Sequence, residues 1–269
     1  YRSLFPFVLS LFISFSSYSQ SLKDVNFGSE YSLDVISWNL EWFPKNGQTT
    51  IDSLALVIKS LKPEVLALQE INDVSAFNSL LTQLPQYVGN FSSFSNLKLA
   101  FIYKKSLTIN NIFTISGNST YNFAGRPPYC IEIEYDNNIY YVINNHLKCC
   151  GDGILQTSDS SDEEFRRFSA MNIIKNYIED NLDNKRVIVL GDLNDILTDN
   201  LSNNIFQDII NDSTNFYFAD TDIANGSSSN WSYPNWPSHL DHILISNELF
   251  SIFNSDSSYI ESIQIDDYL

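Results

Sequence analysis

Basic residues are scarce: 15 Lys and Arg stand against 32 Asp and Glu in 269 residues, a formal charge of −17 and an isoelectric point near 4.3. That balance excludes a protein that coats nucleic acid by bulk charge, because non-specific affinity comes from neutralising many phosphates. It leaves room for brief contact with an anion through a bound cation. Cysteine is limited to three residues, too few for a disulfide-built scaffold. The only methionine is Met171, so an initiating residue is expected upstream of Tyr1. One long apolar run occurs, 4–15, too short to cross a membrane comfortably. No internal repeat is visible.

What is present is core material. Hydrophobic residues make up 43% and aromatics 14%, led by 19 Phe and 15 Tyr, enough to bury a substantial core and to exclude overall disorder. Residues 1–20 place Arg2 before the apolar run and small polar residues after it, the pattern of a secretory signal with its first residues missing. The mature chain, 21–269, is expected to be one domain without an integral membrane segment, extracellular or periplasmic. In oxidising surroundings Cys130 could pair with Cys149 or Cys150, and the odd count leaves one thiol over; the sequence leaves the pairing open.

Strand and helix patterns alternate after residue 31. Residues 32–40, 64–69, 98–103, 107–115, 129–135, 139–146, 185–190 and 240–245 read as strands, with 216–218 as a short further one. Residues 51–61 and 74–84 read as helices, stopped by Pro63 and Pro85. The helix at 163–178 repeats Phe165, Phe168, Met171, Ile174 and Ile178 at three- and four-residue spacing. The stretch 196–237, rich in Asn and Ser, reads mostly as irregular loops.

Polar residues gather at the strand ends. Asn39 and Glu70 each close a strand, and Asp192 and Asn194, two apart, are expected to point the same way from an extended backbone. Such oxygen ligands suit magnesium, manganese or calcium better than zinc. An Asn or Asp after a strand is also the ordinary residue of a turn. All three histidines, His146, His239 and His242, lie at or beside strands. His242 reads as a satisfied core residue. Asn144 and His146 should share one strand face, where an imidazole can assist a phosphoryl oxygen. Trp231, Tyr233 and Trp236 could stack on a base, touch lipid or pin their loop.

Taken in order, WNLEWF (38–43), LALQEI (66–71), NNHL (144–147), GDLND (191–195) and SHLDHILIS (238–246) resemble the endonuclease/exonuclease/phosphatase superfamily. The resemblance implies an α/β fold, a four-layer αββα sandwich with two mixed sheets face to face and helices outside. It implies divalent-metal-dependent phosphoester hydrolysis, with Mg2+ (Mn2+ or Ca2+ as substitutes) held by Glu70 and Asn39. It casts Asp192 as the group that positions water and Asn194 as a phosphate-binding amide. His146 falls near the scissile phosphate and Arg126 on substrate phosphate, and Asn144, on the same strand face as His146, is expected to meet that phosphate too. Asp241 would orient a terminal histidine. That histidine is missing, since none follows His242, so the chain is expected to be cut short or degenerate. His239 stands where many relatives have arginine, and its role is open. A secreted phosphodiesterase or endonuclease acting as a monomer is the expected activity. Alternatives are a sphingomyelinase-like phosphodiesterase on phospholipid, a phosphomonoesterase, or an inactive binding module.

Overall fold

A computed structural model describes residues 21–29, 31–115, 120–233 and 237–268. The expected signal segment, 1–20, and Trp236 lie outside the described residues. Among the described residues, ten strands build two sheets. The first contains β1 (Val35–Phe43), β2 (Val65–Ile71), β3 (Tyr87–Phe91) and β4 (Lys98–Lys104) in the order β1-β2-β4-β3. The second contains β5 (Thr108–Thr114), β6 (Tyr129–Tyr135), β7 (Asn138–His146), β8 (Arg186–Asp192), β9 (Phe216–Phe218) and β10 (Asp241–Ser246) in the order β5-β6-β7-β8-β10-β9. The β1–β2 and β7–β8 pairs are parallel and the rest antiparallel, so both sheets are mixed.

The two-residue period of each strand explains the layers. Along β2, Val65 and Ala67 face the second sheet, meeting Tyr129, Ile131 and Val142 in the central core. Their neighbours Leu66 and Leu68 face the opposite way, onto α1 (Gln48–Leu61) and α2 (Val74–Thr82). On the far side, Cys130, Ile143, Val187 and Val189 pack under α3 (Glu163–Asn181) through Ala170, Met171, Ile174 and Ile178. The result is the expected αββα sandwich. Each buried Leu or Ile contributes about 1.5–3 kcal/mol, and truncating fully buried Leu68 to Ala would cost about 2–5 kcal/mol.

Local chemistry sets the helix ends. Asp73 caps α2 by accepting the N–H groups of Ser75 and Ala76 at 2.7 and 3.1 Å, and Asp162 caps α3 through Phe165 N–H at 2.7 Å. After α1, Lys62 turns left-handed (φ 52°) before Pro63. Three differences from the sequence reading stand out. Strand β3 was not expected, because Gly89 and Asn90 are poor strand formers; edge pairing with β4 overrides them. Phe165 and Phe168 are only half-buried, while Glu164 and Arg167 take the buried face of α3 beside them. All three cysteines are free: Cys130 is sealed beneath α3, while Cys149 and Cys150 lie exposed on the loop after β7. Among the described residues no helix is long and apolar enough to cross a membrane.

Candidate active site

The polar residues singled out above meet where one end of the first sheet abuts the second. Asn39 and Glu70 come from the first sheet; His146, Asp192 and Asp241 come from the second. Neither Asn39 nor Glu70 is simply a strand end. The β1–β2 register jumps between Asn39 and Phe43, and the β2–β4 register jumps between Leu68 and Ile71. Within these bulges Glu41, Trp42 and Glu70 take positive φ of 45°, 61° and 62°. A bulge re-aims its side chain, and here Glu70 Oε2 accepts Trp42 N–H at 2.9 Å. Asn39 Oδ1 accepts Glu41 N–H at 3.0 Å, turning its amide nitrogen toward the acids.

That nitrogen donates to Glu70 Oε1 at 3.1 Å and to Asp192 Oδ2 at 2.8 Å, so two carboxylates from different sheets share one amide. Asp192 ends β8 after Gly191, whose φ of 136° and position 2.0 Å from Asn145 O for any added Cβ admit only glycine. Asn194 corrects the expectation of an extended pair. It turns left-handed (φ 55°), gives its N–H to Asp192 Oδ1 at 3.0 Å and its side-chain amide to Leu147 O at 3.2 Å. His146 Nε2 faces Glu70 and Asp192 at 3.8 and 3.7 Å, beyond hydrogen-bond reach, and its Nδ1 is buried without a partner among the described residues. Burial, and then the Arg126 charge, push the His146 pKa down to about 3, so its ring is neutral at pH 7.

Arg126 braces this region. Its Nε and one terminal nitrogen donate to the carbonyls of His146 and Leu147 at 3.1 and 2.9 Å, leaving its other donors without a protein acceptor among the described residues. Asp241 lies opposite Asp192 in the β8–β10 ladder, with Oδ1 buried and without a partner among the described residues. Burial, and then Asp241, raise the Asp192 pKa to about 7, and burial raises that of Asp241. Asn144 corrects the expectation that it meets substrate. It does share a strand face with His146, but it is fully buried between the sheets. It donates to Leu68 O and Ala100 O, both at 3.0 Å, and accepts from Gln69 Nε2 at 2.8 Å.

A second buried polar group escaped the sequence reading because Asp220 sits in an undistinguished polar stretch. Its Oδ2 meets His242 Nδ1 at 2.6 Å and His239 Nε2 at 3.0 Å. His242 Nε2 faces Asp195 O at 2.8 Å, so both ring nitrogens point at acceptors and the ring carries two protons. His239 Nδ1 accepts Ser232 N–H at 3.2 Å, which makes that ring the neutral donor to Asp220. The cluster reads as a satisfied structural network, as expected for His242. Trp231 donates to Ile223 O at 3.1 Å, which favours the loop-pinning reading for that residue.

The sequence profile of the Endonuclease/Exonuclease/phosphatase family matches residues 36–259, from the start of β1 past β10. The chain belongs to this family. No curated protein matches it significantly. Among solved structures, TDP2 of D. rerio with a single-strand DNA product superposes with TM-score 0.62 at 16% identity, covering 80% of this chain and 83% of that one. The human Nocturnin catalytic domain with bound sulfate gives 0.58 at 18%, over 80% and 81%. Bacteroides thetaiotaomicron mannosyl-6-phosphatase gives 0.56 at 16%, over 80% and 85%. These likenesses show that the chain has the family's phosphoesterase and nuclease fold.

Proposed function

We propose that the protein is a divalent-metal-dependent phosphoester hydrolase, with phosphodiester cleavage of the endonuclease type as its preferred activity. The observation that carries this reading is the convergence of Glu70 and Asp192 on one Asn39 amide across the sheet seam, with His146 beside them. The donor set fits a hard cation. Three carboxylates crowd together, Asp192 is held near pKa 7 by burial and Asp241, and Asp241 Oδ1 has no partner among the described residues. Glu70 would hold magnesium, with Asn39 joining it only by turning its amide so that Oδ1 replaces the nitrogen that faces the acids, and the ion when bound would offset charge on a phosphate oxygen.

The chain's own groups divide the remaining work. Asp192, anchored through Oδ1 by Asn194 N–H, orients an attacking water and accepts its proton. Neutral His146 donates a hydrogen bond through Nε2 to a phosphoryl oxygen. The free donors of Arg126 and the second amide hydrogen of Asn194 hold the phosphate from the second sheet. Glu70→Gln should lower divalent-dependent hydrolysis by about 10²–10³-fold or more. Assays against DNA, RNA, sphingomyelin and small phosphomonoesters, with magnesium and with chelator, test this; full turnover by the variant would end the proposal.

A second reading, hydrolysis of small phosphomonoesters, is favoured by the −17 charge and the absence of a basic track for a duplex. Export belongs to the proposal through residues 1–20. A fusion of that segment to a reporter should leave the cytosol, and retention there would count against export.

A further inference from the structure

Where the β7–α3 loop meets the first turns of α3, more negative charge is buried than the Arg167 guanidinium can satisfy. Arg167 and Glu164 are 3% and 2% exposed. Arg167 spends Nε on Asp195 at 2.8 Å, one terminal nitrogen on the carbonyls of Lys148 and Cys150 at 2.9 and 2.7 Å, and the other on Glu164 Oε1 at 3.2 Å. One positive charge therefore faces two buried carboxylates, and the largely buried Asp162 adds a third nearby. Glu164 Oε1 also accepts Gly153 N–H at 2.7 Å, whereas Glu164 Oε2 is buried with no hydrogen-bond partner among the described residues. A carboxylate oxygen in that position is destabilising unless a cation or donor meets it.

Carboxylate oxygens of Asp152, Asp162 and Glu164 lie within 4.8 Å of one another. In each residue one oxygen is oriented by backbone N–H groups. Ile154 serves Asp152 Oδ1 at 3.0 Å, Phe165 and Gln156 serve Asp162 Oδ2 at 2.7 and 3.3 Å, and Gly153 serves Glu164. No hydrogen bond among the described residues falls on the other oxygen of any of the three. Gly151, at φ 110°, presses its backbone against the Glu164 carboxylate, where an added Cβ would stand 2.2 Å from Oε1. The donors are all oxygen, with Asp152 on the irregular loop and Asp162 and Glu164 at the start of α3, so no rigid octahedral frame is imposed. Calcium, which accepts about six to eight oxygens in flexible arrangements, suits this better than magnesium.

We propose that Asp152, Asp162 and Glu164 form a calcium site that organises the β7–α3 loop, separate from the Glu70 and Asp192 centre. The same loop begins directly after His146, and its carbonyls receive Arg126, Asn194 and Arg167. A cation there fixes the backbone against which the active-site residues are braced.

The test uses the full chain carrying Glu70→Gln, which weakens the catalytic centre's own hold on metal, after chelator treatment. Calorimetric titration with calcium chloride should show one site per chain, and calcium should raise the melting temperature. Adding Asp152→Asn with Glu164→Gln should weaken calcium affinity at least about tenfold. Because Glu164 is buried, Asp152→Asn alone is the second variant, expected to weaken binding with an unchanged circular dichroism spectrum. No calcium heat in the Glu70→Gln chain, or unchanged affinity in both variants, would overturn the site. Neither readout depends on hydrolysis, so the hydrolase proposal can fail without affecting this one.

Discussion

Asp192 carries the sharpest conflict between stability and chemistry. It shares a buried corner with Asp241 and Glu70 and is held near pKa 7. Asp192→Asn removes one of three crowded charges while keeping an oxygen for the Asn39 amide. In chelator at pH 8 this variant should be more stable than the parent by about 1–3 kcal/mol in urea melts, yet lose about 10²-fold or more in hydrolysis. Equal or lower stability would show that the acids do not repel one another as described. The thiols offer a second check at this scale. Cys130 is sealed beneath α3 and its pKa is driven up by burial, whereas Cys149 and Cys150 are exposed. A native alkylating reagent should label two thiols per reduced chain and reach the third only after unfolding.

Between elements, two buried polar groups hold the second sheet in place. The Asp220 and His242 charges attract strongly enough to overcome burial, keeping the Asp220 carboxyl below the usual range and His242 above it. For Asp220 the lowered folded value gives stability that is present above its unfolded pKa of about 3.9 and fades as pH falls further. For His242 the raised folded value gives stability that is full below its unfolded pKa of about 6.5 and fades as pH rises. His242→Gln should therefore cost most, about 3–5 kcal/mol, between about pH 4 and 6.5, with the gap to the parent narrowing by pH 9. A pH-independent difference in unfolding free energy would refute the charged pair. Asn144, joining β7 to Leu68 O, Ala100 O and Gln69, makes a comparable link between sheets. Asn144→Ala should cost about 2–4 kcal/mol in denaturant unfolding by leaving those groups unpaired. At this scale the sequence was legible wherever apolar residues repeated regularly, as along β2, β6 and α1. It was opaque at the β1 and β2 bulges, because a register jump depends on the partner strand and leaves no local mark. The same limit hid Asp220, whose partners stand 19 and 22 residues away. It also assigned Asn144 to substrate, since strand parity gives the direction of a side chain but not what fills the space ahead of it.

Across the whole molecule, the −17 charge opposes an anionic substrate, which Arg126 and the proposed cation would counter locally. Moderate salt screens that repulsion over about 8–10 Å. Initial rates on duplex DNA should thus rise from about 20 to 150 mM sodium chloride at fixed saturating magnesium, while rates on a small phosphomonoester change little. A steep fall on DNA, typical of many phosphate contacts, would mean that a basic footprint exists. The layered architecture and the order of the motifs were readable from the chain, because both follow from strand periodicity and local composition. The site's placement was not, since it depends on how one sheet is laid upon the other. The shared Asn39 amide makes turnover a gauge of that alignment. If mild denaturant lets the two halves of the sandwich slide before either frays, catalysis should vanish while the far-ultraviolet signal of intact strands persists. In such a protein the first casualty of loosening is cooperation between its halves, and only later the halves themselves.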